Sequence, residues 1–567
     1  MRIRSWTASC LAASLVVGLA ACSSTSSTAT NPVVGSTTSA AAGSQAPAAG
    51  SSAPAGSTSA GGASSSSSAA PVVTSSGTLV VDTAFQLKTV DPGRMFEPTG
   101  LLIDHAMYST LLTFTGDDVK KPVPDLAESY SASADGKVYT FKLRKDAVFS
   151  DGTPVTSADV VFSLNRVANL KGNPSFLMAG ITVTAPDAST VVLTSATPNP
   201  AIPFIVPNSA LGILNSKAVK AAGGSDAVGA DSADKAETAL NTKSQGSGQY
   251  ILDSYSTTTQ VKLTANPKYW GTKPKYETII VRNVQANVQK LNVIKGQSQI
   301  AVDLSPAQAD GLGSSVQTIS GASPNVFFLF TNNSATVSKV TSNPDFQEAV
   351  RYGVDYDSLV NLAGSGAVQA NGIIPTMFLG SLAAGTGIKR DVARAKAALA
   401  KSGITDPTVT LSYPSDIQVN GLNFGDLAAR VQANLKDVGI TVKLAPASVQ
   451  TALDTYRGGK EEMGLWEWGP DYPDPGDYLN FLPGQVVGKR ANWLAGQSPA
   501  LEALGTKAGA TIDDATRVTQ YTEIQKMMNQ AGPIMPLIQP AQIIVAATSV
   551  KNVKANALWL VNLSELG

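Results

Sequence analysis

The chain has 567 residues, with 42 Lys and Arg against 42 Asp and Glu, one histidine and two cysteines. So even a charge balance, with no basic stripe, argues against nucleic acid or anionic lipid as a partner. The cysteines are Cys10 and Cys22, both near the start, so the rest of the chain has no disulfide, no thiol nucleophile and no sulfur ligand for zinc, and must rest on a conventional core.

The first segment reads as an export signal. Arg2 and Arg4 precede an apolar stretch, 10–21, that is shorter than the roughly 20 residues of a membrane span and ends in small residues. Its end, Leu19-Ala20-Ala21-Cys22, resembles the lipobox of bacterial lipoproteins. That resemblance implies a signal peptide at 1–21 and a diacylglycerol on Cys22, and two acyl chains anchor a protein stably. Residues 22–76 follow the cysteine with Ser, Thr, Ala, Gly and Pro and without charge or aromatic, a composition that buries little apolar area and serves as a flexible tether.

The body, 77–567, is long enough for two or three domains. It opens with an expected strand at 78–84, a turn at Asp91-Pro92-Gly93, and a helix expected over 101–112 from its apolar spacing. That helix carries His105, the single histidine, which reads as a packing or surface residue. A hairpin is expected around Asp135-Gly136, whose following strand alternates Tyr139, Phe141 and Leu143 with polar residues. Thr156 and Asp159 form a capping box for a helix with Val160, Val161, Leu164 and Val167 on its apolar face.

From 124 to 164 the sequence PDLAESYSASADGKVYTFKLRKDAVFSDGTPVTSADVVFSL resembles the signature region of the family 5 extracellular solute-binding proteins. Further likenesses follow in that family's order: GSGQYIL at 246–252, with Gln249 where proline is usual; NPKYWGTKP at 266–274; NPDFQEAVRYGVDYDSLV at 343–360; and DVARAKAALAKSGI at 391–404. Each has a plain structural reading too. Tyr269 and Trp270 suit packing, Arg351 and Asp355 are spaced to pair on a helix, and no Lys-Ser/Thr pair after Gly246 and Gly248 makes a phosphate loop. The resemblance spans the whole body.

The second half alternates elements: a helix at 391–402 capped by Asp391 and stopped by Gly403, a strand at 409–413, a helix at 423–438, a strand at 440–444, a helix at 449–456 and a strand at 463–467. Such alternation predicts a mostly parallel sheet with helices on its faces, and ligands bind beyond the carboxyl ends of such strands. The stretch WEWGPDYPDPGD, 466–477, runs out of the last strand there. Prolines 470, 473 and 475 exclude helix, and Asp471, Asp474 and Asp477 recur at every third position without the alternate-residue pattern of a Ca²⁺ loop. No metal or cofactor is expected.

Catalysis finds little support. His105 is the only candidate base for a triad, and Ser365, between Gly364 and Gly366, lacks the flanks of a nucleophile elbow. The family resemblance instead implies an α/β, two-lobed periplasmic-binding-protein fold with a hinge and an extra subdomain inserted in the first lobe. It implies that Asp471 pairs with the ligand's α-ammonium, with Trp468, Trp466, Gly469 and Tyr472 around it. Phe328 and Asn332, in and after the run VFFLFT, are carried over as cleft residues. The strand before Asp471 would offer backbone groups to an extended peptide. Asp474 and Asp477 read as turn residues, and Arg94 is the one basic residue considered for the ligand's far end, although it also reads as a surface arginine.

The expected organisation is lobe I from 77–112, 200–322 and 535–567, an inserted subdomain at 113–199, and lobe II at 323–534. The expected protein is not an enzyme but a monomeric, lipid-anchored receptor on the outer face of the cell membrane. It would capture peptides or related amine-bearing solutes for an ABC permease and its ATPase subunits. The alternatives are a surface-anchored hydrolase or adhesin, or binding of an opine, a sugar or a metal chelate.

Overall fold

The computed structural model describes residues 77–567. The signal peptide, Cys22 and the tether lie outside the described residues. Among the described residues no helix is long and apolar enough to cross a membrane.

Two large sheets organise the described chain. The seven-stranded sheet runs, in spatial order, Val316–Ala322, Ala541–Ala547, Ile300–Ala301, Thr78–Thr83, Thr278–Asn283, Gln260–Ala265 and Tyr250–Tyr255. The six-stranded sheet runs Val368–Gln369, Ile534–Gln539, Val326–Thr331, Met463–Trp468, Thr408–Pro414 and Thr441–Ala447. In the second sheet Thr408–Pro414 is parallel to both of its neighbours, as the alternating pattern predicts. The other half is antiparallel, because Val326–Thr331 runs against both Met463–Trp468 and Ile534–Gln539. This corrects the expectation of a mostly parallel sheet: strands that arrive from the other sheet need not follow the βαβ direction.

Val326–Thr331 is buried along its whole length. The pleat sends alternate side chains to opposite faces. Phe327 and Leu329 join a core with Phe346, Leu411 and Leu427, whereas Phe328 and Phe330 join another with Trp466, Tyr478 and Phe481. The unbroken apolar run thus serves two cores at once.

The chain passes between the sheets at Ser323–Asn325 and again at Pro540. The passages are bonded together: Ser323 N donates to the Pro540 carbonyl at 2.8 Å, and Gln539 Nε2 donates to the Ser323 carbonyl at 2.7 Å. Ile534–Gln539 belongs to the six-stranded sheet, so the return to the first sheet comes at Pro540 and not at 535.

A four-stranded antiparallel sheet, Ala127–Ala132, Val138–Leu143, Thr190–Ser195 and Ile181–Asp187, interrupts the first sheet's sequence. Gly136 takes φ of 65° at its hairpin turn, as Asp-Gly predicts. The helix Ser157–Leu170 covers this sheet and starts with the capping box of Thr156 and Asp159. The first helix is shorter than its periodicity suggests. Pro98 opens it, it stops at Met107, and Leu112 already lies in a strand. Arg351 and Asp355 do not pair with each other: Arg351 donates to the Gly532 carbonyl, while Asp355 caps the next helix and meets Arg390 at 3.5 Å.

Candidate functional site

The strand Met463–Trp468 leads to the site. Its register pairs Trp466 with Phe328 and Trp468 with Val326. Trp466 is 5% exposed, stacks on Tyr456 with ring centroids 4.3 Å apart, and donates Nε1 to Glu461 Oε2 at 2.9 Å. Phe328 is fully buried with its ring edge-on to Phe481 at 5.2 Å. Both side chains pack in the core beneath the loop.

Asn332 lies at the other end of this strand pair. Because the two strands are antiparallel, Asn332 follows Thr331, which pairs with Met463 at the far end from Trp468. It is fully buried, donates to the carbonyls of Gly459 and Glu461 at 3.0 and 2.8 Å, and accepts from Ser334 N and Asn492 Nδ2. Its polar atoms are spent on the loop before the strand.

At the carboxyl end the loop is held by its own acids. Asp474 is fully buried, caps the 3-10 helix Pro475–Phe481 by accepting from Gly476 N at 2.7 Å, and meets Arg517 Nη2 at 2.6 Å; Pro475 opens this helix, which corrects the expectation that the prolines exclude one. Asp477 Oδ2 accepts from Trp468 Nε1 at 3.2 Å and from Asp471 N at 3.1 Å. A side chain on Gly469 would lie 2.8 Å from Asn325 Oδ1, so glycine lets the loop pass the crossing segment.

Asp471 emerges from this scaffold partly buried. Burial pushes its carboxyl up to about 6, with no basic neighbour to offset the shift. Its backbone carbonyl accepts from Asn208 Nδ2 at 3.3 Å, and Tyr472 packs against the core of the four-stranded subdomain. A cavity of about 170 Å³ lies between Asp471, Tyr472, Asp477 and Asn480 on one side and Phe176, Ile181, Asn199 and Ile205 on the other. Phe176 and Asn199 were not marked by the sequence, because they come from the short 3-10 helix Asn173–Met178 and a loop, each more than 200 residues away in chain. Two carboxylates in one small, mostly polar cavity without a basic side chain suit a cation.

The strand also offers backbone. Its ladder with Thr408–Pro414 covers only Met463 and Gly464, so Leu465–Trp468 are outside that ladder on this side. Arg94, by contrast, is committed elsewhere: it lies 3.2 Å from Asp234, which with Asp91 also holds the fully buried Arg166.

A family model described as bacterial extracellular solute-binding proteins, family 5 Middle, matches residues 121–488. The chain belongs to this family. The family 5 assignment agrees with curated relatives. The chain is 28% identical over 490 residues to the "probable D,D-dipeptide-binding periplasmic protein DdpA" of Escherichia coli strain K12, covering 85% of this chain and 92% of that protein. It is 24% identical over 499 residues to the periplasmic oligopeptide-binding protein OppA of the same organism, covering 81% and 86%. Among solved structures, HbpA2 from Haemophilus parasuis superposes with a TM-score of 0.75 at 21% identity, over 86% of this chain and 99% of that one. DppA from Helicobacter pylori, in complex with the peptide STSA, gives 0.69 at 21% identity over 87% and 98%. This family 5 chain therefore has the two-lobed periplasmic-binding-protein fold with a hinge and an inserted subdomain.

Proposed function

We propose that this protein captures peptides, or related solutes with a free amine, outside the cell and delivers them to an ABC permease. Lobe I comprises 77–112, 200–322 and 541–567 with the subdomain 113–199 inserted, and lobe II runs from 323 to 540. Ligand enters between them, the amine end against Asp471 and the backbone along Leu465–Gly469. Trp468 and Tyr472 flank the acid. Cys22 tethers the receptor to the outer face of the membrane by lipid.

The observation that carries this reading is Asp471. A carboxylate at a strand's carboxyl end, partly buried beside a second carboxylate with no basic partner, is costly unless a cation arrives. The names of the relatives, dipeptide- and oligopeptide-binding proteins, agree with a peptide amine as that cation.

Asp471→Asn keeps the shape and removes the charge. Isothermal calorimetry with a peptide recovered from the purified protein should show binding weakened by a few kcal/mol. Unchanged affinity would remove Asp471 from the site. Recovery of the ligand unchanged after incubation separates a receptor from a hydrolase, and a ligand-dependent rise in melting temperature separates it from an adhesin.

A further inference from the structure

The cavity beside Asp471 holds a second acid. Asp477 is 1% exposed. Its Oδ2 accepts the Trp468 indole N–H and the Asp471 backbone N–H, which fixes the carboxylate. Its Oδ1 is buried without a hydrogen-bond partner, and the side chain lines the same cavity as Asp471. A buried carboxylate oxygen left bare is costly, and the loop spends two donors on holding it where it faces Asp471.

We propose that Asp477 is a second ligand-contacting carboxylate, so that the site selects a primary ammonium whose N–H groups are shared between Asp471 and Asp477. The inference rests on the amine-binding reading of Asp471. A primary ammonium carries three N–H donors and serves both acids with one to spare, as a Lys side chain does; a quaternary or acylated nitrogen cannot.

The surroundings supply no substitute cation. On the loop, the Asp474 carboxylate is already occupied by Arg517. Tyr472 and Tyr478 contribute phenols that burial and the nearby carboxylates push further up. The facing wall of Phe176, Leu177, Ala179, Ile181, Asn199 and Ile205 contains no titratable group. Burial, then the Asp471 carboxylate, pushes Asp477 well above the usual carboxylate range. The empty pair accordingly holds a proton to higher pH than an isolated carboxylate does. An incoming ammonium, keeping its own protons, displaces that one: the carboxyl O–H bond breaks, water takes the proton, and up to one proton leaves for each ligand bound. Affinity should then rise with pH, by up to about tenfold per unit while the pair titrates.

The test uses a short-peptide casein hydrolysate as probe, with an N-acetylated portion as control, on the full-length protein and its Asp471→Asn and Asp477→Asn variants. Melting temperature is followed from pH 5.5 to 8, and proton release is read by a pH dye in weak buffer at pH 6.5. The wild type should gain stability with the free-amine hydrolysate, more at pH 8 than at 5.5, and release protons. Asp477→Asn keeps an acceptor for the two loop N–H groups; it should release fewer protons than the wild type, keep only the pH dependence that Asp471 supplies, and gain less at pH 8. If it gains as the wild type does while Asp471→Asn gains nothing, Asp471 stands and the second carboxylate is overturned. Binding by the wild type without proton release overturns it as well, whatever the variants do. No gain by the wild type at any pH overturns both readings.

Discussion

Within one loop, three aspartates of the same spacing have three different tasks. Asp474 is neutralised: Arg517 Nη2 lies 2.6 and 2.7 Å from its two oxygens, and both side chains are buried. Asp477 orders the loop and lines the cavity, and Asp471 lines the same cavity while less buried. The difference comes from their partners, which lie outside the motif, so spacing alone does not distinguish them. Arg517→Met should therefore act through the charge it abandons. It leaves Asp474 buried and unpaired, and urea unfolding should show a loss of about 3–5 kcal/mol. Adding Asp474→Asn, which keeps the cap on Gly476 N, should restore much of it; equal losses in the single and double variants would show that Arg517 matters by packing alone.

Elements were legible where the signal is local. Asp391 caps its helix by accepting from Arg394 N at 2.9 Å, and the strand Thr408–Pro414, the helix Phe424–Lys436 and the strand Thr441–Ala447 follow within a few residues of their apolar patterns. The family motifs carried the two-lobed fold and pointed at the Asp471 loop. What the sequence did not carry was long-range: the direction of Val326–Thr331 against its neighbours, and which layers cover Trp466 and Phe328. A single period-two pattern reports a face, not which layer covers it. The GSGQY segment shows the same limit from the other side. A side chain at Gly246 or Gly248 would run into the backbone at Met107. Their φ values are ordinary, so the constraint is steric. Gly246→Ala should cost about 1–3 kcal/mol in urea unfolding, whereas Gly321→Ala, with open space around it, should stay within about 0.5 kcal/mol.

At the scale of the whole molecule, several buried acids give the ligand-free protein an unusual pH profile. Burial pushes Asp125, Glu461 and Glu467 up to about 7 and Asp471 to about 6. For each, the folded state holds a proton that the unfolded chain has already released, from about pH 4.5 upward. Stability from these groups is present at low pH and is lost as pH rises through the folded values. His105 opposes them. Stacked on Trp559 at 3.7 Å and buried, it is pushed down to about 3, so its term grows from pH 3 to about 6.5. Below pH 4 the paired acids take over, since Asp234, though burial opposes it, is held at about 2 by Arg166. One histidine does not offset four carboxyls, so melting temperature without ligand should be higher at pH 5 than at pH 7.5, by a few degrees in calorimetry. Glu467→Gln isolates one contribution. Its Oε2 is buried without a partner, and the amide needs no proton to stay neutral, so the variant should gain stability at pH 7.5 and change little at pH 5. A wild-type melting temperature that rises from pH 5 to 7.5 would show that these acids find solvent or partners in the folded protein. An amine ligand should flatten the profile, because it stabilises the ionised form of Asp471 that the empty cavity disfavours.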